Sequence, residues 1–139
     1  MRAIDLIVIH CSSTRENYAL TEQALEASHR LIGFDGTGYH FYVRRDGRVL
    51  ATRPVSKVGA HVRGYNAHSI GICYEGGLDR YGNPKDTRTE WQRHSLSVLV
   101  GKLLQEYPGT CVVGQGPQSR PERKRGSGTH GVDQAMSLL

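Results

Sequence analysis

Cysteine is scarce and odd in number: Cys11, Cys73 and Cys111 are the whole complement. They cannot all pair within one chain, and Cys73 and Cys111 lie in apolar strand-like runs where a free thiol behaves as a small hydrophobe. Nothing in that usage calls for an oxidising compartment. Long apolar runs are missing too. The stretch in MRAIDLIVIH is too short for a signal-peptide core and lacks a cleavage site, and no segment approaches a membrane span. The expectation is a chain made and kept in the cytoplasm, without membrane contact, reaching a cell wall only if released or exported. Aromatic residues are few, 7% of the chain. The basic block RPERKR in residues 120–125 therefore has no stacking platform or groove-reading helix beside it, and nucleic acid is not an expected partner.

What is present fits one domain of 139 residues with 17 glycines and a hydrophobic share of 37%, below the usual range. The apolar residues are unevenly spread. Gln115–Leu139 holds almost none before Ala135, carries net charge +2 of the chain's +5, and reads as poorly ordered. The expected division is a domain over 1–114 and an atypical basic, Gly-rich tail over 115–139. A monomer is expected.

Ile4–Ile9 is a continuous apolar run, read as a buried strand. Thr21 opens a helix through about Ile32, with Leu25, Ala27, Ser28, Leu31 and Ile32 as its expected buried stripe and Gly33 as its stop. Tyr39–Arg44 and Val49–Thr52 read as a hairpin around Asp46-Gly47. Ser69–Tyr74 is another strand. Thr89 caps a helix whose apolar period runs through Trp91, Leu96, Val98, Leu99, Leu103 and Leu104 up to Tyr107. Cys111–Val113 is a last short strand. Strands separated by helices indicate α/β, and the hairpin makes the sheet mixed: a single domain with a central mixed β-sheet flanked by helices.

Four imidazoles and a phenol are candidates for chemistry. His10 ends the first strand, Tyr39 and His40 open the hairpin, and His61, Asn66 and His68 share a Gly-punctuated loop of the kind that favours binding. Each has an ordinary structural alternative taken singly. Together, IVIHCSST with His10, GYHFYVRRDGRV with Tyr39 and GAHVRGYNAHSIGICYEGG resemble the zinc-dependent N-acetylmuramoyl-L-alanine amidases, a family that includes amidase-type phage lysozymes and peptidoglycan recognition proteins. The resemblance covers roughly Ile4–Val113. It implies that His10 is the first zinc ligand, that the Tyr39 hydroxyl faces the zinc-bound water and the tetrahedral intermediate, and that His61, Asn66 and His68 line the substrate groove. The implied reaction is hydrolysis of the amide joining muramic acid's lactyl carboxyl to the stem peptide's first alanine, and the implied partner is bacterial peptidoglycan or its muropeptides. Zinc with three protein ligands keeps a fourth position for a water made acidic by the metal, and a phenol can stabilise the oxyanion.

The chain departs from that pattern at its end. The family's last strand runs into a Val-Gly-His segment giving the second ligand, and a later Cys-Pro segment gives the third. Here Gln115 stands in the histidine's place, no cysteine follows Cys111, and His130 is the lone downstream imidazole. Zinc occupancy is therefore in question, with His130 or Cys111 as possible recruits, and a non-catalytic muropeptide-binding module is the rival to the enzyme. A reading-frame change just before Gln115 accounts for the break. One set of codons for Gly114–Leu139, beginning GGC CAG GGA CCT, acquires a second meaning when two bases are restored after GGC CA. It then reads GHRDLSPDLNGNGVVEPTEWIKQCPCF, with the missing histidine, a Ser-Pro turn and a Trp-Ile-Lys-x-Cys-Pro segment. The encoding DNA is expected to carry codons compatible with that shift; sequencing it checks this, and incompatible codons reject it.

Overall fold

The apolar run at the start of the chain forms β1, Leu6–Cys11, with parallel neighbours on both edges. The computed structural model describes residues 2–114; the expected tail over 115–139 lies outside them. Among the described residues, β1 is followed by the two-residue β2 (Thr14–Arg15), helix α1 (Glu22–Leu31) and the hairpin β3 (Phe41–Val43) and β4 (Val49–Ala51). Then come a 3-10 turn at Asn66–His68, β5 (Ser69–Tyr74), β6 (Gly77–Leu78), helix α2 (Glu90–Glu106) and β7 (Cys111–Gly114). The main sheet runs β4-β3-β5-β1-β7, antiparallel only at β3–β4. A two-stranded ribbon of β2 and β6, not expected from sequence, sits beyond its end. The α/β class and the mixed sheet are as read from the sequence.

Strand alternation divides the side chains between two faces. Ile7 and Ile9 of β1, Ile70 and Ile72 of β5, Val43 and Val112 pack with Leu96, Val100 and Leu103 of α2 as the main apolar core. Burying each such side chain is worth roughly 1.5–3 kcal/mol. The opposite face presents His10, Tyr42, Gly71 and Cys73 and is covered by α1, whose Leu25 joins Tyr42 and Cys73 in a small second cluster.

Both helices start where sequence places them and face inward differently. The Thr21 hydroxyl accepts the Ala24 N–H, and Gly33, with φ +99°, follows the helix end. The expected α1 stripe is not the buried one: Leu31 and Ile32 are 87% and 69% exposed, Ala27 and Ser28 are exposed too, and only Leu25 is fully covered. The inward positions are Glu22, Leu25, Glu26 and His29, a helical i, i+3, i+4, i+7 set. This face places one apolar residue, Leu25, on the small second cluster and is otherwise polar, so hydrophobicity does not mark it. In α2, Thr89 and Gln92 form a reciprocal capping box. Its covered stripe is Gln92, Leu96, Val100 and Leu103, while Trp91 and Val98 face outward.

Where β3 and β5 end, a buried carboxylate ties the elements together. Glu75 accepts hydrogen bonds from the Leu20 and Arg45 N–H groups and from the Arg44 guanidinium (2.8 Å), with Arg45 also paired to it. The Gln92 amide donates to the Val43 and Glu75 carbonyls beside it. Burial alone would raise the Glu75 pKa; the hydrogen bonds from Arg44, Leu20 and Arg45 outweigh it and hold the carboxyl below its ordinary 4.5. Such a depressed group stabilises the fold above its unfolded-state value, and this contribution fades as pH falls through the native value. Glu75→Ala is expected to cost about 3 kcal/mol in urea unfolding near neutral pH, since it removes the close partner of the Arg44 guanidinium and the acceptor of the Leu20 and Arg45 N–H groups. The deficit relative to the parent should shrink below about pH 4.

Candidate active site

The polar face of the sheet gathers three of the candidate residues at one place. His10, the fifth residue of β1, points away from the α2 core because Ile9 points into it. Its Nε2 lies 2.9 Å from His61 Nδ1, and the two rings meet edge to face with centroids 5.0 Å apart. Tyr39 covers the pair, 5.1 Å from the His10 ring and 6.5 Å from the His61 ring. His10 and His61 are separated by fifty-one positions in the chain, so only the fold brings them together.

Local chemistry explains each placement. After His10 the chain turns sharply: Ser13 takes a left-handed φ of +56°, and the Ser12 hydroxyl accepts the Gly76 N–H. A non-glycine residue in that region costs free energy and is held by its surroundings, a feature frequent at functional turns. His61 arrives from a loop whose backbone is capped by a side chain: the Asn66 amide oxygen accepts both the His61 and Val62 N–H groups at 2.9 Å. The His61 ring then lies across Gly71, and its Nε2 is 3.1 Å from the Ser69 hydroxyl. A Cβ on Gly71 would sit 2.6 Å from His61 Cγ, which is why glycine stands at that point of β5.

The environment keeps His61 and Tyr39 uncharged. Burial, followed by the charges of His10, His40 and Arg2, lowers the His61 pKa to about 2. Burial, then the nearby Cys73 thiol, pushes the Tyr39 phenol far above its ordinary value. Tyr39 is therefore a neutral hydroxyl at any physiological pH.

Other candidates lie elsewhere. Asn66 acts on the His61 backbone. His68 sits at the opposite end of β1, its Nδ1 bonded to the Asp5 carboxylate and its ring near Tyr65. Asp5 is five residues before His10, roughly 16 Å along a strand. Cys111, considered as a recruited ligand, pairs with Leu6 in the β1–β7 register. That puts it about 13 Å along the strand from His10, so geometry excludes it from a site there. His130 and Gln115 are outside the described residues.

Two histidines with no role expected from the sequence belong here. His29 of α1 accepts the Gly38 N–H on Nδ1 at 2.8 Å and lies 5.4 Å from the Tyr39 ring; burial lowers its pKa. His40 is fully buried behind His61. His29 is marked in the sequence by its place four residues after Leu25, and His40 by its place beside Tyr39 in the GYHFYV motif.

The donor set among the described residues does not fit the expected metal. No group of three or more His, Cys, Asp or Glu side chains able to hold an ion occurs among them, and the nitrogen His10 turns toward the site is already engaged with His61. A structural or catalytic zinc needs at least three protein ligands.

Comparison with known proteins agrees with the fold. A family model described as N-acetylmuramoyl-L-alanine amidase matches residues 1–128. The endolysin of Enterobacteria phage K11 is 38% identical over 105 residues, covering 76% of this chain and 70% of that protein. The endolysin of Escherichia phage T7 is 39% identical over 108 residues, 78% of this chain and 72% of its own length. Among solved structures, the N-acetylmuramoyl-L-alanine amidase LysC from Clostridium intestinale superimposes with a TM-score of 0.72 at 28% identity, over 88% of this chain and 78% of that one.

Gly71→Ala is expected to push the His61 ring off the sheet and break its contact with His10, at a stability cost of about 1–3 kcal/mol. Urea unfolding measures the cost and histidine ring NMR the displacement; an unmoved ring at unchanged stability contradicts this packing.

Proposed function

Since this chain belongs to the N-acetylmuramoyl-L-alanine amidase family, whose members are generally zinc-dependent, we propose that its His10–Tyr39–His61 face receives a peptidoglycan stem. The scissile amide between N-acetylmuramic acid and L-alanine would lie over His10 and Tyr39. The observation that carries this reading is the packing of the Tyr39 ring on His10, 5.1 Å between centroids, on the polar face of the sheet.

The chain's own groups have definite roles in it. Tyr39, kept protonated, donates its hydroxyl to the oxygen that becomes negative when the carbonyl is attacked. The thiol of Cys73 nearby is a weak acceptor and competes little with an oxyanion. His61, held neutral and anchored by Asn66 and Ser69, offers ring edges to the sugar–peptide junction. Asn66 acts through His61, and His68, beside Asp5, is left to contact ligand remote from the scissile bond. Zinc, where bound, would supply the acidic water for attack. Residues 2–114 supply His10 toward it and do not complete a three-ligand set, so hydrolysis by the family's route needs donors from beyond Gly114. A monomer meeting cell-wall polymer after release or export completes the reading. No helix among the described residues is long and apolar enough to cross a membrane.

A second reading, muropeptide binding without turnover, is favoured by that same lack of a three-donor group. One experiment separates the two. The full chain is assayed for zinc by elemental analysis and incubated with purified cell walls, with mass spectrometry of released stem peptides. The amidase reading expects stem release in proportion to bound zinc, lowered about 10²–10³-fold by Tyr39→Phe, the usual cost of losing an oxyanion donor. Muropeptide binding with neither zinc nor release establishes the binding module. Absence of both binding and release rejects both.

A further inference from the structure

The His61 imidazole occupies a slot between two glycine backbones from different parts of the chain. A Cβ on Gly71 of β5 would meet His61 Cγ at 2.6 Å, and one on Gly59, in the loop before it, would meet His61 Cδ2 at 3.0 Å. The spacing of these two walls decides where the ring lies and how its Nδ1 meets His10.

A second imidazole spans the same two walls from behind. His40 Nδ1 accepts the Gly71 N–H at 3.0 Å, and His40 Nε2 is 2.8 Å from the Lys57 carbonyl, two residues before Gly59. Its Cε1 also abuts Gly59, where a Cβ would come within 2.9 Å. A nitrogen that accepts an N–H carries no proton, so the proton is on Nε2 and is donated to Lys57. The ring is fully buried and neutral; burial, with Arg2 and Arg53 among the contributors, lowers its pKa to about 4.

Arg2 closes the arrangement. Its guanidinium donates to the carbonyls of Val55 (2.8 Å), Asn66 (3.2 Å) and Ser69 (2.9 Å), fastening the loop, the turn and the start of β5 to one planar group. Its Nη2 is 2.9 Å from His40 Nε2. Both atoms are donors in the assigned tautomer, so this is an unfavourable donor–donor approach rather than a bond, and Arg2 acts on the slot through the carbonyls it holds. Asn66, held through its carbonyl by Arg2, turns its amide oxygen to the His61 N–H.

We propose that His40 and Arg2 are positioning residues for muropeptide recognition: together they set the width of the Gly59–Gly71 slot, and so the placement of His61 beside His10. Neither touches the ligand; both act through His61. The proposal rests on the muropeptide reading above, and its test separates the two.

The test uses the full chain with isotope-labelled histidine and its His40→Phe, His40→Gln and Arg2→Ala variants. Glutamine can accept from Gly71 through its amide oxygen and donate to Lys57 through its amide nitrogen, whereas phenylalanine fills the volume and does neither. Long-range 1H–15N spectra are expected to show His40 of the parent as the Nε2–H tautomer. His40→Phe and Arg2→Ala should move the His61 ring signals toward those of exposed His94 and weaken binding of N-acetylmuramoyl-L-alanyl-D-isoglutamine about tenfold, the effect of one misplaced hydrogen-bonding group. His40→Gln should restore both to within about threefold, a rescue that loss of packing alone does not produce. Unmoved His61 signals in a folded His40→Phe chain overturn the proposal. So does His40→Gln behaving like His40→Phe. If His40→Phe does not fold, the decision passes to the glutamine variant, with parent-like His61 signals, and Arg2→Ala, with displaced ones; any other pattern overturns the proposal. A parent that binds no muropeptide defeats the functional reading, while the ring signals still judge the strut.

Discussion

Burial of β1 on both faces and both edges is the constraint on which the site depends. With β5 on one side and β7 on the other, the strand has no freedom of register. A slip of one residue would put Ile7 and Ile9 on the polar face and drive His10 into the α2 core. The hydrophobic demand of the core therefore aims His10. The same alternation in β5 sends Ile70 and Ile72 to the core and leaves Gly71 and Cys73 on the other face, one as a bare floor for the His61 ring and one as a neighbour of the Tyr39 phenol.

The two faces are held by different physics. The α2 side is apolar packing. The α1 side is mostly hydrogen bonding: imidazoles on backbone N–H groups, an asparagine on two N–H groups, an arginine on four carbonyls, a carboxylate on two arginines. Among the described residues, no buried side-chain nitrogen or oxygen lacks a partner. Networks of that kind define geometry tightly because each unmet group in a buried place is costly. A recognition face can thus be both polar and rigid, and α1 needs little apolar surface to cover it.

Much of the architecture was legible in the chain. The continuous run of β1, the Ser69–Tyr74 strand, the Asp-Gly hairpin and the Thr89 cap all rest on short-range signals: period, turn chemistry and side-chain capping. The inward face of α1 is not its apolar stripe, because that helix turns Glu22, Glu26 and His29 inward beside Leu25. Trp91 and Val98 belong to the apolar period of α2 yet face outward, because the contact line follows Gln92 and Leu96. The β2–β6 ribbon has too few residues to leave a pattern.

The sequence by itself determined the α/β class, the ends of both helices and the motifs that mark His10, Tyr39 and His61, since these depend on neighbours a few residues away. The tertiary structure alone decided that His61 meets His10, that His40 and Arg2 brace the slot around it, and that His68 and Cys111 stand far from His10. Those contacts join segments tens of residues apart, and their geometry follows from which strand lies beside which, a matter of core packing that local patterns do not encode.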